Sequence, residues 1–135
     1  MTFSGEKFFS VGKHLGKYSK DEEYQRSAIG RFYYACYLVA REIYNKENNR
    51  EMGSSISHYK LKEYFKGLEG TKEIGEKLEI LRNNRNEADY KLYFNEKKVE
   101  DSKNKSKEIL DFFNKEFWCD NNAESKNSFK TARFV

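Results

Sequence analysis

The apolar positions of this chain recur at helical spacing from its first residues to about position 118. Phe8, Phe9, Val11 and Leu15 make a short apolar stripe that predicts a first helix over residues 5–17. Ser19 with Glu22 three residues later has the form of a capping box and opens a long helix over about 21–46. Its apolar positions run through Tyr24, Ala28, Phe32, Ala35, Cys36, Val39, Ile43 and Tyr44. The stretch from Phe32 to Ala40 is apolar nearly all round, which predicts a central helix with partners on most sides. A polar segment over 45–57 reads as a loop. A third helix over 57–67 carries Tyr59, Leu61, Tyr64 and Phe65. Thr71 can cap a fourth helix that begins at about Lys72 with the stripe Ile74, Leu78, Leu81. Residues 91–96 break the pattern. A fifth helix over 97–118 presents Val99, Ser106, Leu110, Phe113 and Phe117, with a charged first half that is expected to project into solvent. From Asp120 the periodicity ends, and residues 119–135 are expected to be a flexible tail.

The pattern predicts an all-α fold, an antiparallel bundle of four to five helices in one domain over residues 1–118. Composition agrees. There is no proline in 135 residues, so nothing interrupts the helices. An aromatic content of 16% means that Phe and Tyr fill much of the core. The net charge of +4 permits a nucleic-acid partner without demanding one. Cys36 and Cys119 form no CxxC pair and no Cys/His cluster, so both read as reduced thiols, with Cys36 in the core. No secretory h-region is visible and no apolar run spans a bilayer, so a cytoplasmic protein without membrane contact is expected. The absence of a Gly-rich phosphate loop, HExxH or EF-hand pattern gives no expectation of a metal or cofactor.

The chemistry concentrates at the end of the fourth helix. The stripe Ile74, Leu78, Leu81 continues by four to Arg85 and by four again to Asp89. An apolar face that ends in Arg and Asp must either pair those charges with one another or present them to a ligand. Arg supplies a planar fork suited to phosphate. Arg82, Arg85 and Asn86 are therefore candidate phosphate ligands, with Asp89 and Tyr90 available to orient or exchange protons. Metal-independent RNA cleavage needs such a set together with a group that titrates near neutrality, usually His. The two histidines, His14 and His58, lie far from this segment in sequence. Each reads more simply as a surface, capping or packing residue. Tyr is a weak base at pH 7.

Two segments carry a resemblance. Arg26-Ser27-Ala28-Ile29-Gly30-Arg31-Phe32-Tyr33-Tyr34-Ala35 resembles the R-x-A-I-x-R-x-Y-Y-A helix of small prokaryotic HEPN-domain proteins, and Arg85-Asn86-Glu87-Ala88-Asp89-Tyr90 resembles their R-x-x-A-D-Y segment. Their order and separation fit over about residues 5–118, and His58 falls near a His that often opens the third helix in that subgroup. The resemblance implies a helical bundle that dimerises with two motif segments facing one another. It implies a role in a toxin–antitoxin or phage-defence type system, with RNA, a nucleotide or a partner protein such as a nucleotidyltransferase-like antitoxin as the ligand. Members that cleave RNA follow the motif Arg with His a few residues later. Here the window after Arg85 ends on Tyr90 and that after Arg82 ends on Asp89, so the motif lacks its histidine. The expected function is RNA, nucleotide or partner binding at a degenerate RNase site. The alternative is an active metal-independent endoribonuclease in which Arg85 and Asn86 act with Tyr90 or Asp89. In the same frame Arg82, Arg85 and Arg31 are the expected phosphate ligands, while Asp89 pairs with Arg31 or Arg26 to lock the segment.

Overall fold

The computed structural model describes residues 5–118, and all regular structure within them is helical. Five α-helices follow one another: α1 Gly5–Tyr18, α2 Glu22–Glu47, α3 His58–Gly67, α4 Lys72–Tyr90 and α5 Lys97–Phe113, the last running into a π-helical turn over Asn114–Trp118. The predicted elements are all present, and the expected all-α bundle is the observed fold. The tail predicted over 119–135 lies outside the described residues.

Local chemistry accounts for most boundaries, in two cases differently from expectation. Ser19 does not cap α2 directly. Its hydroxyl accepts from the Asp21 amide, and Asp21, in extended backbone, is the residue that precedes the helix. Thr71 stands at the start of α4, but its hydroxyl donates to the Phe65 carbonyl at 2.8 Å, so it closes α3 instead of opening α4. Ser57 is a true N-cap, accepting from the Lys60 amide at 3.1 Å.

Helix α4 runs antiparallel to α3 and to α5, as cross-contacts show, whereas α3 runs in the same direction as α2, with His58 on Tyr37 and, further along both helices, Tyr64 on Tyr44. Lys62 of α3 reaches Glu79 of α4, and Asn84 of α4 reaches Asp101 and Ser102 of α5 while Lys77 reaches Glu108. The α1–α2 contact is close because Gly12 lies against Phe32; a Cβ at that position would stand 2.7 Å from the ring. The central position of α2 is borne out. Ala28, Ile29, Phe32, Ala35, Cys36, Ala40 and Ile43 are all buried, covering most of its circumference. Cys36 donates its thiol to the Ser106 carbonyl of α5.

The first half of α5 departs from the expectation of a solvent-projecting segment. Ser102 and Ser106 are fully buried, and Ser102 accepts from the buried Asn84 side chain at 3.0 Å. The charged residues around them leave an inward face of small hydroxyl side chains. That face lets α5 approach α4 closely, with each buried polar atom partnered. No helix of the described residues is long and apolar enough to cross a membrane.

Candidate functional site

A cleft of about 120 Å³ opens where the start of α3 meets α2 and the second half of α4. Its walls carry Tyr33 and Tyr37 from α2, His58 and Tyr59 from α3, and Arg82 and Asn86 from α4. The sequence between α2 and α3 explains how His58 arrives there. The Asn45 amide donates to the Ser54 carbonyl at 3.1 Å, and the Tyr37 hydroxyl donates to the Ile56 carbonyl at 2.8 Å. These two bonds strap the 48–57 loop along α2. Ser57 then caps α3, and the first helical residue, His58, falls with its ring on Tyr37, centroids 4.2 Å apart and planes 15° from parallel.

The second anchor of the imidazole is a short hydrogen bond between His58 Nδ1 and the Tyr33 hydroxyl. Burial pushes the Tyr33 phenol well above its usual range, more than the nearby Arg82 and Arg85 pull it down. Tyr33 therefore keeps its proton, and its hydroxyl either donates to Nδ1, with the ring proton on Nε2, or accepts from Nδ1–H in the other tautomer. Burial, with Arg82 and Arg85 beside it, also lowers the His58 pKa from its usual value. The ring is thus neutral at pH 7. With Nδ1 accepting, Nε2 is a donor; with Nδ1 donating, Nε2 is an acceptor.

Arg82 supplies the cation. Its Nε is buried and has no hydrogen-bond partner among the described residues. An unpaired buried guanidinium N–H is costly and rare, which marks out Arg82 among the residues of the cleft wall. Asn83 and Asn86 add amide groups to the rim. Together these groups offer donors for one tetrahedral anion. No group of three or more His, Cys, Asp or Glu among the described residues could hold a metal ion.

The other predicted site residues are placed as follows. Arg85 does not line this cleft. It pairs with Asp89 at 3.0 Å along α4, and its guanidinium lies over the rings of Tyr33 and Tyr34 at 6.0 and 5.9 Å. It is close enough to act on His58 electrostatically. Asp89 thus pairs with Arg85, not with Arg31 or Arg26 as expected. The i, i+4 partner is already in reach on the same helix, whereas the other two arginines are occupied elsewhere. Arg31 lies over Phe8 and Tyr34 at 5.0 and 5.5 Å. Arg26 donates to the carbonyls of Ala88 at 2.7 Å, Lys91 at 2.8 Å and Leu92 at 3.2 Å, closing the C-terminal end of α4, and its Nε pairs with Glu22. Arg26 is thus an orienting residue, acting on the α4 backbone. Tyr90 is 77% exposed at the last turn of α4 and is not among the residues of the cleft.

His58 is the residue of the cleft that spacing alone missed. Nothing local in Ser57-His58-Tyr59 distinguishes a ligand from a helix-opening residue; the fold brings it 24 residues back to Arg82. Comparison with known proteins adds no name: no family model, no curated protein and no solved structure matches the chain.

Proposed function

We propose that this protein is a HEPN-like bundle of a toxin–antitoxin or phage-defence type system that binds RNA, or a nucleotide, through a phosphate held in the His58–Arg82 cleft. The observation that carries this reading is the unpaired, buried Arg82 Nε beside a neutral His58 anchored through Nδ1 by Tyr33. A phosphodiester supplies the missing acceptor, and its charge is held by Arg82 with Arg85 behind it. The two motif segments support the same reading: the first furnishes Tyr33 to the cleft and the second Asn86, with Arg82 one turn before it on α4.

A second reading, metal-independent endoribonuclease, is favoured by the position of His58. The motif lacks a histidine in its own helix, but α3 delivers one to the same cleft. This reading uses the other tautomer, in which Nδ1–H donates to the Tyr33 oxygen and Nε2 is a base. It takes the proton of a 2′-hydroxyl as that oxygen attacks the adjacent phosphorus. The P–O5′ bond breaks to leave a 2′,3′-cyclic phosphate, the departing 5′-oxygen takes a proton from solvent water, and Arg82 offsets the charge that builds on the phosphoryl oxygens. In this reading His58 replaces Tyr90 as the proton-transfer group.

The experiment pairs binding with cleavage. A fluorescent single-stranded RNA is titrated with wild type, Arg82→Ala and His58→Ala in a chelating buffer, and the RNA is then resolved on a gel. Binding that falls tenfold or more in Arg82→Ala supports the site. Cleavage that survives the chelator and is lost in His58→Ala supports the enzyme reading, and intact RNA with Arg82-dependent binding refutes it. Within such a system a second copy would cover the α2 face at Gly30 and Tyr34, where a Cβ on Gly30 would meet nothing within 4 Å. The exposed Tyr90, Leu92 and Tyr93 offer a partner protein its aromatic contact. Light scattering tests the homodimer, and co-purification with the product of a neighbouring gene tests the partner.

A further inference from the structure

A second, larger groove lies on the other side of α2 from the cleft. It holds about 690 Å³ between α1 and the start of α5. One wall carries Lys13 and Lys17, a helical turn apart on α1, with Lys20 in the turn that follows; the facing wall carries Lys97 and Lys103 of α5. Only two carboxylates, Glu96 and Glu100, line it against these five ammonium groups. Among the described residues none of the five lysines is held in an ion pair, although eleven such pairs occur elsewhere. The floor is closed: Phe32 is buried and Gln25 is bonded to the carbonyls of Gly16 and Ser19.

Positive charge spread along two facing walls suits a partner recognised by repeated charge. Lysine ammonium groups are mobile point charges that follow a phosphate chain without demanding bidentate geometry. An acidic peptide is recognised by charge as well, but the large apolar side chains that the lining offers it are only Val99 and the buried Phe32.

We propose that this groove is a second RNA-binding surface, taking the phosphate backbone of a single strand whose other part occupies the His58–Arg82 cleft. The proposal rests on the RNA reading of that cleft but on different residues. RNA long enough to span both sites then binds more tightly than a dinucleotide, and the excess is strongly salt-dependent. Five neutralised phosphates imply a slope of about 3.5 in log affinity against log salt for a single strand. Removing two of the lysines lowers that slope by about 1.4 and weakens binding by about tenfold at moderate salt.

The test compares wild type, Lys17→Gln/Lys103→Gln and Arg82→Ala for binding a dodecauridylate, the dinucleotide UpU and a poly-glutamate of similar length, across a salt series. Surface Lys→Gln changes leave the fold intact, which circular dichroism verifies. The expected result is a double variant that loses about tenfold on the dodecamer with a shallower salt slope and keeps wild-type affinity for UpU. A double variant that binds the dodecamer like wild type overturns the groove, even if Arg82→Ala abolishes UpU binding. Groove-dependent dodecamer binding without any UpU binding upholds the groove and overturns the cleft reading. Poly-glutamate that binds as tightly as the dodecamer, with the same lysine dependence, overturns the assignment to RNA, as does a wild type that binds no oligonucleotide.

Discussion

The Tyr33 hydroxyl and His58 Nδ1 share a hydrogen bond across 25 residues of chain, and this contact converts a helix-opening histidine into part of a site. Tyr33 anchors the ring at Nδ1, Tyr37 stacks beneath it, and Arg82 lines the same cleft. Removing the hydroxyl alone, in Tyr33→Phe, leaves the ring packed but frees Nδ1. The expected outcome is a shift in the balance of the two ring tautomers, read from the imidazole nitrogen shifts by NMR. An unchanged tautomer ratio would show that Tyr33 does not set it.

The environment of His58 also makes stability depend on pH. Its folded pKa lies below the usual value of about 6.5. Protons therefore bind the unfolded chain more readily. The cost of the buried neutral ring is absent above about 6.5, grows as pH falls through the window between that value and the lowered folded pKa, and is complete below it. Acid also weakens the paired carboxylates, so the contribution of His58 is isolated by comparison. Urea midpoints at pH 7.5 and 5.0 should fall further apart in wild type than in His58→Gln. The His58 pKa, followed by NMR, should rise in Arg82→Ala, where a cationic neighbour is gone. A titration that Arg82→Ala leaves in place would contradict the electrostatic account.

Arg26 ties α2 to the end of α4 through three carbonyls that have no helical partner. Arg26→Ala should cost about 2 kcal/mol in denaturant unfolding, the range for hydrogen bonds from a charged donor. It should also speed amide exchange in the last turn of α4. Arg26→Lys should rescue little, since a point charge cannot span carbonyls at both ends of the turn.

Two glycines one turn apart on α1 should respond oppositely to alanine. At Gly12 the new methyl meets the Phe32 ring at 2.7 and 2.8 Å, so about 1–3 kcal/mol of stability should be lost to overpacking. At Gly16 the methyl meets Ala28 and Val99 at 3.9 and 4.0 Å, ordinary contact distances, and up to about 1 kcal/mol should be gained. Thermal unfolding of the two variants checks both signs. Equal shifts would mean that α1 is not packed on α2 as described.

Helical periodicity made the bundle legible. Apolar stripes predict the five helices to within a residue or two, because each buries one face against its neighbours. The chain breaks at 48–57 and 91–96 are as clear as the helices. The motif helix was legible as a cluster of polar groups, and Asn86 and Arg82 do line a cleft. The choice among its arginines was not. Arg26, Arg31 and Arg85 have the same chemistry in sequence, and only the fold shows that a helix end, an aromatic ring and Asp89 occupy them. Arg82, one of three arginines expected to hold phosphate, is the one that keeps an unsatisfied Nε. His58 was hidden for a related reason. The loop straps that bring it to Tyr33 come from Asn45 and Tyr37, whose partners are backbone carbonyls and leave no trace in residue type.

The central claim is that Arg82 and His58, and not Tyr90, form the phosphate site. Fluorescence anisotropy of a labelled oligouridylate against wild type, Arg82→Ala and Tyr90→Phe tests it most directly. Arg82→Ala should weaken binding at least tenfold while Tyr90→Phe matches wild type. Equal affinity in wild type and Arg82→Ala, or a loss confined to Tyr90→Phe, would contradict the account.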